Sequence, residues 1–258
     1  MSDYSTFSVV LTGASKGLGE ATARLLIDGG VGHLFCVSRS VNDDLVTLAQ
    51  ERGVDLRWTQ CDLSDAPAAS DVARAVCEAC VTETAGTAIL VNNAALLEPV
   101  ARVGHLNPRD LISLHSVNTI APALFADAFL AARTSRGDAI SARIINISSG
   151  LGTRAMAGVG MYCMSKAALD MLTQAIQTEQ EDQAAPVWVC SVSPGTVESH
   201  MQETLRAADA AHLRDRETFR ELKRSGTLNT PQFSASKILS LLTRTDIDSG
   251  SILRVDSL

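Results

Sequence analysis

Phe7–Leu26 reads FSVVLTGASKGLGEATARLL, and this stretch decides the fold. It opens on a short apolar run with the pattern of a buried strand. From Leu18 to Asp28 the pattern becomes that of an amphipathic helix. Gly13, Gly17 and Gly19 sit between the two, at the turn and the helix start. Glycine lets a backbone turn tightly and approach a pyrophosphate, and a helix N-terminus offers free N–H groups and the positive end of a dipole. Three glycines alone say little; between a strand and a helix they have the required context. The spacing is TGxxxGxG rather than GxGxxG.

The alternation continues outward. Apolar runs recur as HLFCVSR, LRWTQCD, AILVNNA, RIINISS, VWVCSVSPG and SILRVD. Helical patterns lie between them, including Ala66–Thr84, Pro108–Arg133 and Met161–Gln183. Strands alternating with helices predict a parallel sheet, and uninterrupted apolar runs predict strands covered on both faces. The expectation is α/β: one Rossmann-type doubly wound domain over residues 1–258, seven parallel strands with helices on both faces. Residues 196–230 break the rhythm, being charged and without strand pattern. They leave from the carboxyl end of the sixth strand, where ligands bind in such sheets, and are a candidate substrate lid holding one or two helices.

Composition excludes several classes. A net charge of −7 leaves no basic footprint for nucleic acid or acidic membranes. MSDYSTFSVV has no basic region leading into a long apolar core, and no stretch approaches the length of a membrane span. Six scattered cysteines, several inside apolar runs, and a lone Cys77-x-x-Cys80 without a nearby His predict buried thiols in a reducing cytoplasm.

The end of the second strand, CVSRS, carries Ser38 and Arg39 where an acid would bind a ribose 2′-hydroxyl. The nearest acids are Asp28, inside a helix, and Asp43, past the strand. Guanidinium suits a 2′-phosphate, and Lys16 adds a second cation, so NADPH/NADP+ is expected over NADH. Solvated surface charge is the alternative for both. Asp62 follows the third strand and is placed to accept a bond from the adenine amine. Asn92 and Ala94, in VNNAA, would lie along the ribose.

GMYCMSKAAL, residues 160–169, places Tyr162 and Lys166 four residues apart on one helix face. Such a pair is either a solvated surface feature or a built acid. Ser149, in RIINISSGLG, lies 13 residues earlier, close enough to converge at the same sheet edge, with Ser148 the neighbouring candidate. Pro122 has no N–H, so the carbonyl of Asn118 loses its helical partner and is free to hold a water; a plain kink is the alternative.

TGASKGLG, NNA, Asn118, Ser149 and Tyr162-x-x-x-Lys166 together resemble the short-chain dehydrogenase/reductase family in its NADPH-preferring form. The resemblance implies that Tyr162 is the general acid in carbonyl reduction and that Lys166 lowers its pKa and holds the nicotinamide ribose. It implies that Ser149 polarises the substrate carbonyl and Asn118 anchors a water of the proton relay. It adds Ser15, Leu18, Leu63, Pro194, Gly195 and Val197 to the cofactor contacts, with Tyr162 and Lys166. NNAALLEPV, MYCMSKAALDM, SPGTVESHMQ and ILRVD look like the benzil reductase and sepiapterin reductase branch. That branch implies reduction of a small-molecule dicarbonyl or ketone, here a 1,2-diketone giving an (S)-α-hydroxy ketone. Sepiapterin reductases usually carry a pterin-anchoring Asp near the C-terminus; Arg254 stands there, with Asp256 two residues on. A sepiapterin reductase and a catalytically silent NADPH sensor are the rival readings. A homodimer or homotetramer is expected from the family. His115, His200 and His212 rank below these groups as acid–base candidates.

Overall fold

The apolar runs form seven strands; the inner five are covered on both faces, while the third and seventh, at the sheet edges, carry Asp55, Arg57 and Arg254 and stay partly exposed, against the expectation of double cover throughout. The computed structural model describes residues 3–136 and 140–258, so residues 1–2 and 137–139 of the expected 1–258 domain lie outside it. Along the chain run β1 (Phe7–Thr12), α1 (Gly17–Asp28), β2 (His33–Ser38), α2 (Asp43–Arg52), β3 (Asp55–Gln60), α3 (Ala66–Glu83) and β4 (Thr87–Asn92). Next come α4 (Pro108–His115), a π turn (Ser116–Ile120), α5 (Ala121–Ser135), β5 (Ser141–Ile147), a 3-10 turn (Gly150–Gly152) and α6 (Gly160–Gln180). The chain ends with β6 (Trp188–Ser193), α7 (His200–Ala207), α8 (Arg216–Arg224), α9 (Pro231–Ser240) and β7 (Ser251–Arg254).

All six strand pairings are parallel, in the order β3-β2-β1-β4-β5-β6-β7. The winding reverses between β1 and β4, which opens a crevice over their carboxyl ends. Successive strand residues serve opposite cores. Val10, Ala88, Leu90 and Ile144 join α3 and α5 on one face. Val9, Leu11, Ile89 and Ile145 join α1, α2 and α9 on the other. Phe125 and Phe129 of α5, both fully buried, stabilise the first face by about 2 kcal/mol each.

The helical pattern over Pro108–Arg133 is interrupted near Pro122. A π turn widens it at Ser116–Ile120, where the Ala121 N–H donates to the Ser116 carbonyl. A π turn relieves the crowding that Pro122 imposes on the preceding turn. Residues 196–230 hold two helices, α7 and α8, closed at the base by a bridge between Val197 and Asn229. All six cysteines are buried free thiols. Among the described residues, no helix is long and apolar enough to cross a membrane.

Candidate active site

A cleft of about 800 Å³ runs along the carboxyl ends of the strands, from β3 to β7. Its floor is the glycine turn after β1. Gly13 has φ +71°, and a Cβ there would stand 2.8 Å from Ala94 Cα. A Cβ on Gly19 would stand 2.1 Å from the Gly13 carbonyl oxygen, so α1 packs directly on the turn. Gly17, at φ +61°, has nothing within 4 Å on its Cβ side. Lys16 precedes α1 without a side-chain cap, which leaves the first amides of the helix without a side-chain partner. The Thr12 hydroxyl accepts from the Asn93 and Ala94 amides at 3.0 and 3.1 Å, fastening the end of β4 to the end of β1. Uncapped amides beside an open, Cβ-free wall fit a dinucleotide pyrophosphate.

Ser15, Lys16, Leu18, Ser38, Arg39, Asp62, Leu63 and Ala94 line this end of the cleft. The Ser38 hydroxyl is buried, donating to the Ser40 carbonyl and accepting from Trp58 Nε1. Asp62 accepts from the Ser64 amide and hydroxyl, which, with Arg39 nearby, holds its carboxyl below the usual range. Lys16 and Arg39 are exposed and form no ion pair among the described residues. Asn92 lies elsewhere: its amide donates to Asn146 Oδ1 at 2.9 Å within the sheet, while its neighbour Asn93 faces the cleft.

Ser149, Tyr162 and Lys166 share one wall further along. Lys166 is 2% exposed, donates to the Ile147 carbonyl at 2.7 Å and lies 5.8 Å from the Tyr162 ring centre. Burial pushes the Tyr162 phenol up to about 12, with the Ser149 hydroxyl drawing it down in part. Burial pushes Lys166 down to about 8, opposed by the charge of Asp170. In the protein alone, then, desolvation outweighs any acidifying effect of Lys166 on the phenol, and the tyrosine is held protonated. The Ser149 Oγ accepts from the Leu151 amide at 3.1 Å, which leaves its own proton free to donate. Asn118 is fully buried one layer back. Its amide grips Leu96 through Oδ1 to N and Nδ2 to O, both at 2.7 Å, and donates to Ser165 Oγ at 3.0 Å.

Beyond this wall the cleft is bordered by residues of the segment 196–230. Pro194, Gly195 and Val197 lead out of β6 along the cleft. Gly195 has φ +77°, and a Cβ there would stand 2.6 Å from Asn229 Nδ2. Leu205 of α7 and Phe219 of α8 pack in one apolar cluster with Leu97, Val159 and Tyr162 itself. Glu198 binds Arg206 at 2.9 Å and Lys223 at 3.0 Å, tying the two helices to the strand end.

The short chain dehydrogenase family model matches residues 8–210. The chain belongs to that family. It is 28% identical to a benzil reductase ((S)-benzoin forming) of Bacillus cereus over 96% of this chain and 98% of that one. It is 33% identical to sepiapterin reductase of Rattus norvegicus, over 94% and 93%. A metagenomic short-chain oxidoreductase solved in complex with NADP superposes with a TM-score of 0.70 at 27% identity, covering 97% and 98%.

As a short-chain dehydrogenase the chain is an oxidoreductase, and its cleft contains residues the sequence motifs do not mark. Leu97, Arg154, Met156, Gln202 and Phe219 all line it. Gln202 is 8% exposed, and its Oε1 is buried without a partner. The signal for Phe219 and Leu222 was their i, i+3 spacing in a charged helix, which marks one apolar face. His200 lines the cleft from an exposed position, paired with Glu203 at 3.1 Å. His115 contacts Thr119 at 3.4 Å, and burial pushes its pKa below the usual imidazole value. His212 does not line the main cleft; its ring stacks edge-on against His105.

Proposed function

We propose that this short-chain dehydrogenase reduces one carbonyl of an aromatic 1,2-diketone, with NADPH, to an (S)-α-hydroxy ketone. The observation that carries this reading is that Ser149, Tyr162 and Lys166 sit between a dinucleotide-shaped floor and an apolar recess containing Leu97, Leu205 and Phe219. Bound NADPH would supply the hydride. Lys16 and Arg39, as cations at the ends of the glycine turn and β2, support a 2′-phosphate partner.

The remaining roles belong to the chain. Tyr162, protonated by its burial, donates to the carbonyl oxygen as negative charge develops there. Ser149 donates a second hydrogen bond to the same oxygen, and both bonds strengthen toward the transition state. Lys166 places a cation beside the phenol and favours the phenolate left behind. Asn118 keeps the widened turn against Leu96, where its main-chain carbonyl would hold the water that resupplies the proton. Arg154 and Arg254, both exposed along the cleft, offer donors to the second carbonyl oxygen. Residues 196–230 act as the lid, shutting water from the reacting atoms.

A homodimer through neighbouring helix faces is the assembly we favour, because Ile112, Ile120, Met164 and Met171 stand exposed on α4, the π turn and α6. The free thiols support a reducing cytoplasm.

Steady-state rates with benzil, sepiapterin and cyclohexanone, with chiral analysis of the benzoin formed, test the reading. A higher kcat/KM for benzil with one enantiomer in excess is expected. Preferred turnover of sepiapterin would move the chain to the pterin branch; none with any carbonyl would favour the sensor.

A further inference from the structure

The most expensive group near the reacting wall is a carboxylate the chemistry does not use. Asp170 lies on α6, one turn beyond Lys166, and is only 5% exposed. Its Oδ1 accepts from the Ser191 hydroxyl of β6 at 2.5 Å. Its Oδ2 is buried with no hydrogen-bond partner. Against Oδ2 packs Gly152, the end of the turn that Ser149 begins; a Cβ there would stand 2.5 Å from the oxygen and 3.2 Å from the Lys166 carbonyl. Burying a carboxylate with one neutral partner destabilises a fold unless its charge serves something nearby.

Few groups face Lys166. Its own helix presents Tyr162 and Asp170, and β5 presents the Ile147 carbonyl, while the Ser148 hydroxyl just after β5 donates to the main-chain carbonyl of Lys166. β6 presents the Ser191 hydroxyl, which is hydrogen-bonded to Asp170. From β7, the Arg254 guanidinium reaches as far as Gly150.

We propose that Asp170 is a positioning residue, whose buried charge keeps Lys166 protonated in the dry wall of the cleft and whose packing on Gly152 braces the turn carrying Ser149. Without it, the lysine would keep only neutral partners, the Ile147 carbonyl and the Tyr162 ring, to offset its desolvation. The proposal rests on the reading of Lys166 as part of the reacting wall, and its test separates the two.

The chain has four lysines, Lys16, Lys166, Lys223 and Lys237. Lysine labelled with ¹³C at Cε therefore gives a countable spectrum, in which the Lys166 signal is the one lost in Lys166→Arg. Asp170→Asn keeps an acceptor for Ser191 and removes the charge. The Lys166 midpoint is expected to fall by about one pH unit or more, the other three unmoved. The alkaline limb of kcat/KM should fall with it. An unmoved midpoint overturns the proposal, whatever the activity does. A lowered midpoint with an unmoved rate profile supports the Asp170–Lys166 coupling and removes Lys166 from the reaction instead. If Asp170→Asn does not fold, the unaltered protein still decides: the ¹³Cγ signal of Asp170 should inflect at the Lys166 midpoint, and a flat trace there overturns the proposal.

Discussion

The two ends of the cleft are built by different means. Over β1 to β3 the walls are backbone: a glycine turn, the first amides of α1 and strand ends fastened by Thr12. Over β5 to β7 the walls are side chains, drawn from Leu97, Met156, Leu205 and Phe219, far apart along the chain. Backbone walls demand particular residues at particular spacings, since an added Cβ at Gly13 or Gly19 meets backbone atoms. Side-chain walls demand only volume and polarity, which many sequences satisfy. One end therefore binds a constant ligand, and the other is free to vary with substrate.

Ser149, Tyr162 and Lys166 lie where the two ends meet, so the largest effect is expected there. Tyr162→Phe should lower kcat with a diketone about a thousandfold, while NADPH affinity, read by its fluorescence, stays within about twofold. Unchanged turnover would detach the phenol from the reaction. Next is the cation of the backbone-built end. Arg39→Asp should shift the NADPH-to-NADH ratio of kcat/KM by about a hundredfold toward NADH, as a charge-assisted bond becomes a repulsion. A constant ratio would leave Arg39 an ordinary surface charge.

The glycines sharpen the contrast within that end. Gly19→Ala forces a Cβ against the Gly13 carbonyl and should destabilise the fold by about 3 kcal/mol in urea unfolding. Gly17→Ala meets no atom, but its positive φ should cost about 1 kcal/mol, with a larger loss in NADPH affinity because the methyl enters the cleft. Equal losses of stability would deny that one glycine serves packing and the other the ligand. At the substrate end, Phe219→Ala should raise KM for benzil about tenfold and leave NADPH binding alone. An equal loss for both ligands would mean that residues 196–230 close over the whole cleft.

The same difference governs how much could be read before the structure. The five inner strands were legible as apolar runs, since being covered on both faces leaves little choice of residue; the edge strands β3 and β7, partly exposed and carrying charge, were legible more from the alternation with helices. The glycine turn and the Ser149, Tyr162 and Lys166 wall were legible because their spacings are fixed by the strand–helix geometry that presents them. The direction of the Tyr162 shift was not, because desolvation depends on everything packed around the ring. Nor were the apolar recess and Gln202, whose places depend on how α7 and α8 fold back. The π turn escaped too: Pro122 signals a disturbed helix, without saying whether it kinks or widens.

The smallest expected effect bears on what the junction between the two ends costs the fold. Lys166 is held at about 8, below the ordinary lysine value, so below that pH the protein buries a cation it would rather shed. Lys166→Met combined with Asp170→Asn, which removes both buried charges and so strands neither, should abolish turnover yet stabilise the protein at pH 7 by about 2 kcal/mol, a rise in Tm of about 5 °C. The sign follows from proton counting. Between about 8 and the unfolded value of about 10.4, the unfolded chain keeps a proton on this lysine that the folded one has released, so the Lys166 contribution to wild-type stability rises with pH across that window. The advantage of the double variant is therefore full below pH 8 and shrinks above it. Tyr162 and the buried thiols of Cys36, Cys77, Cys80 and Cys190, all pushed up by burial, work in the opposite sense but equally in both proteins, so the difference between the two melting profiles from pH 6 to 9.5 isolates the lysine. A double variant that melts lower than wild type at pH 7, with a gap that ignores pH, would mean that contacts such as the Ile147 carbonyl more than repay the burial of the charges.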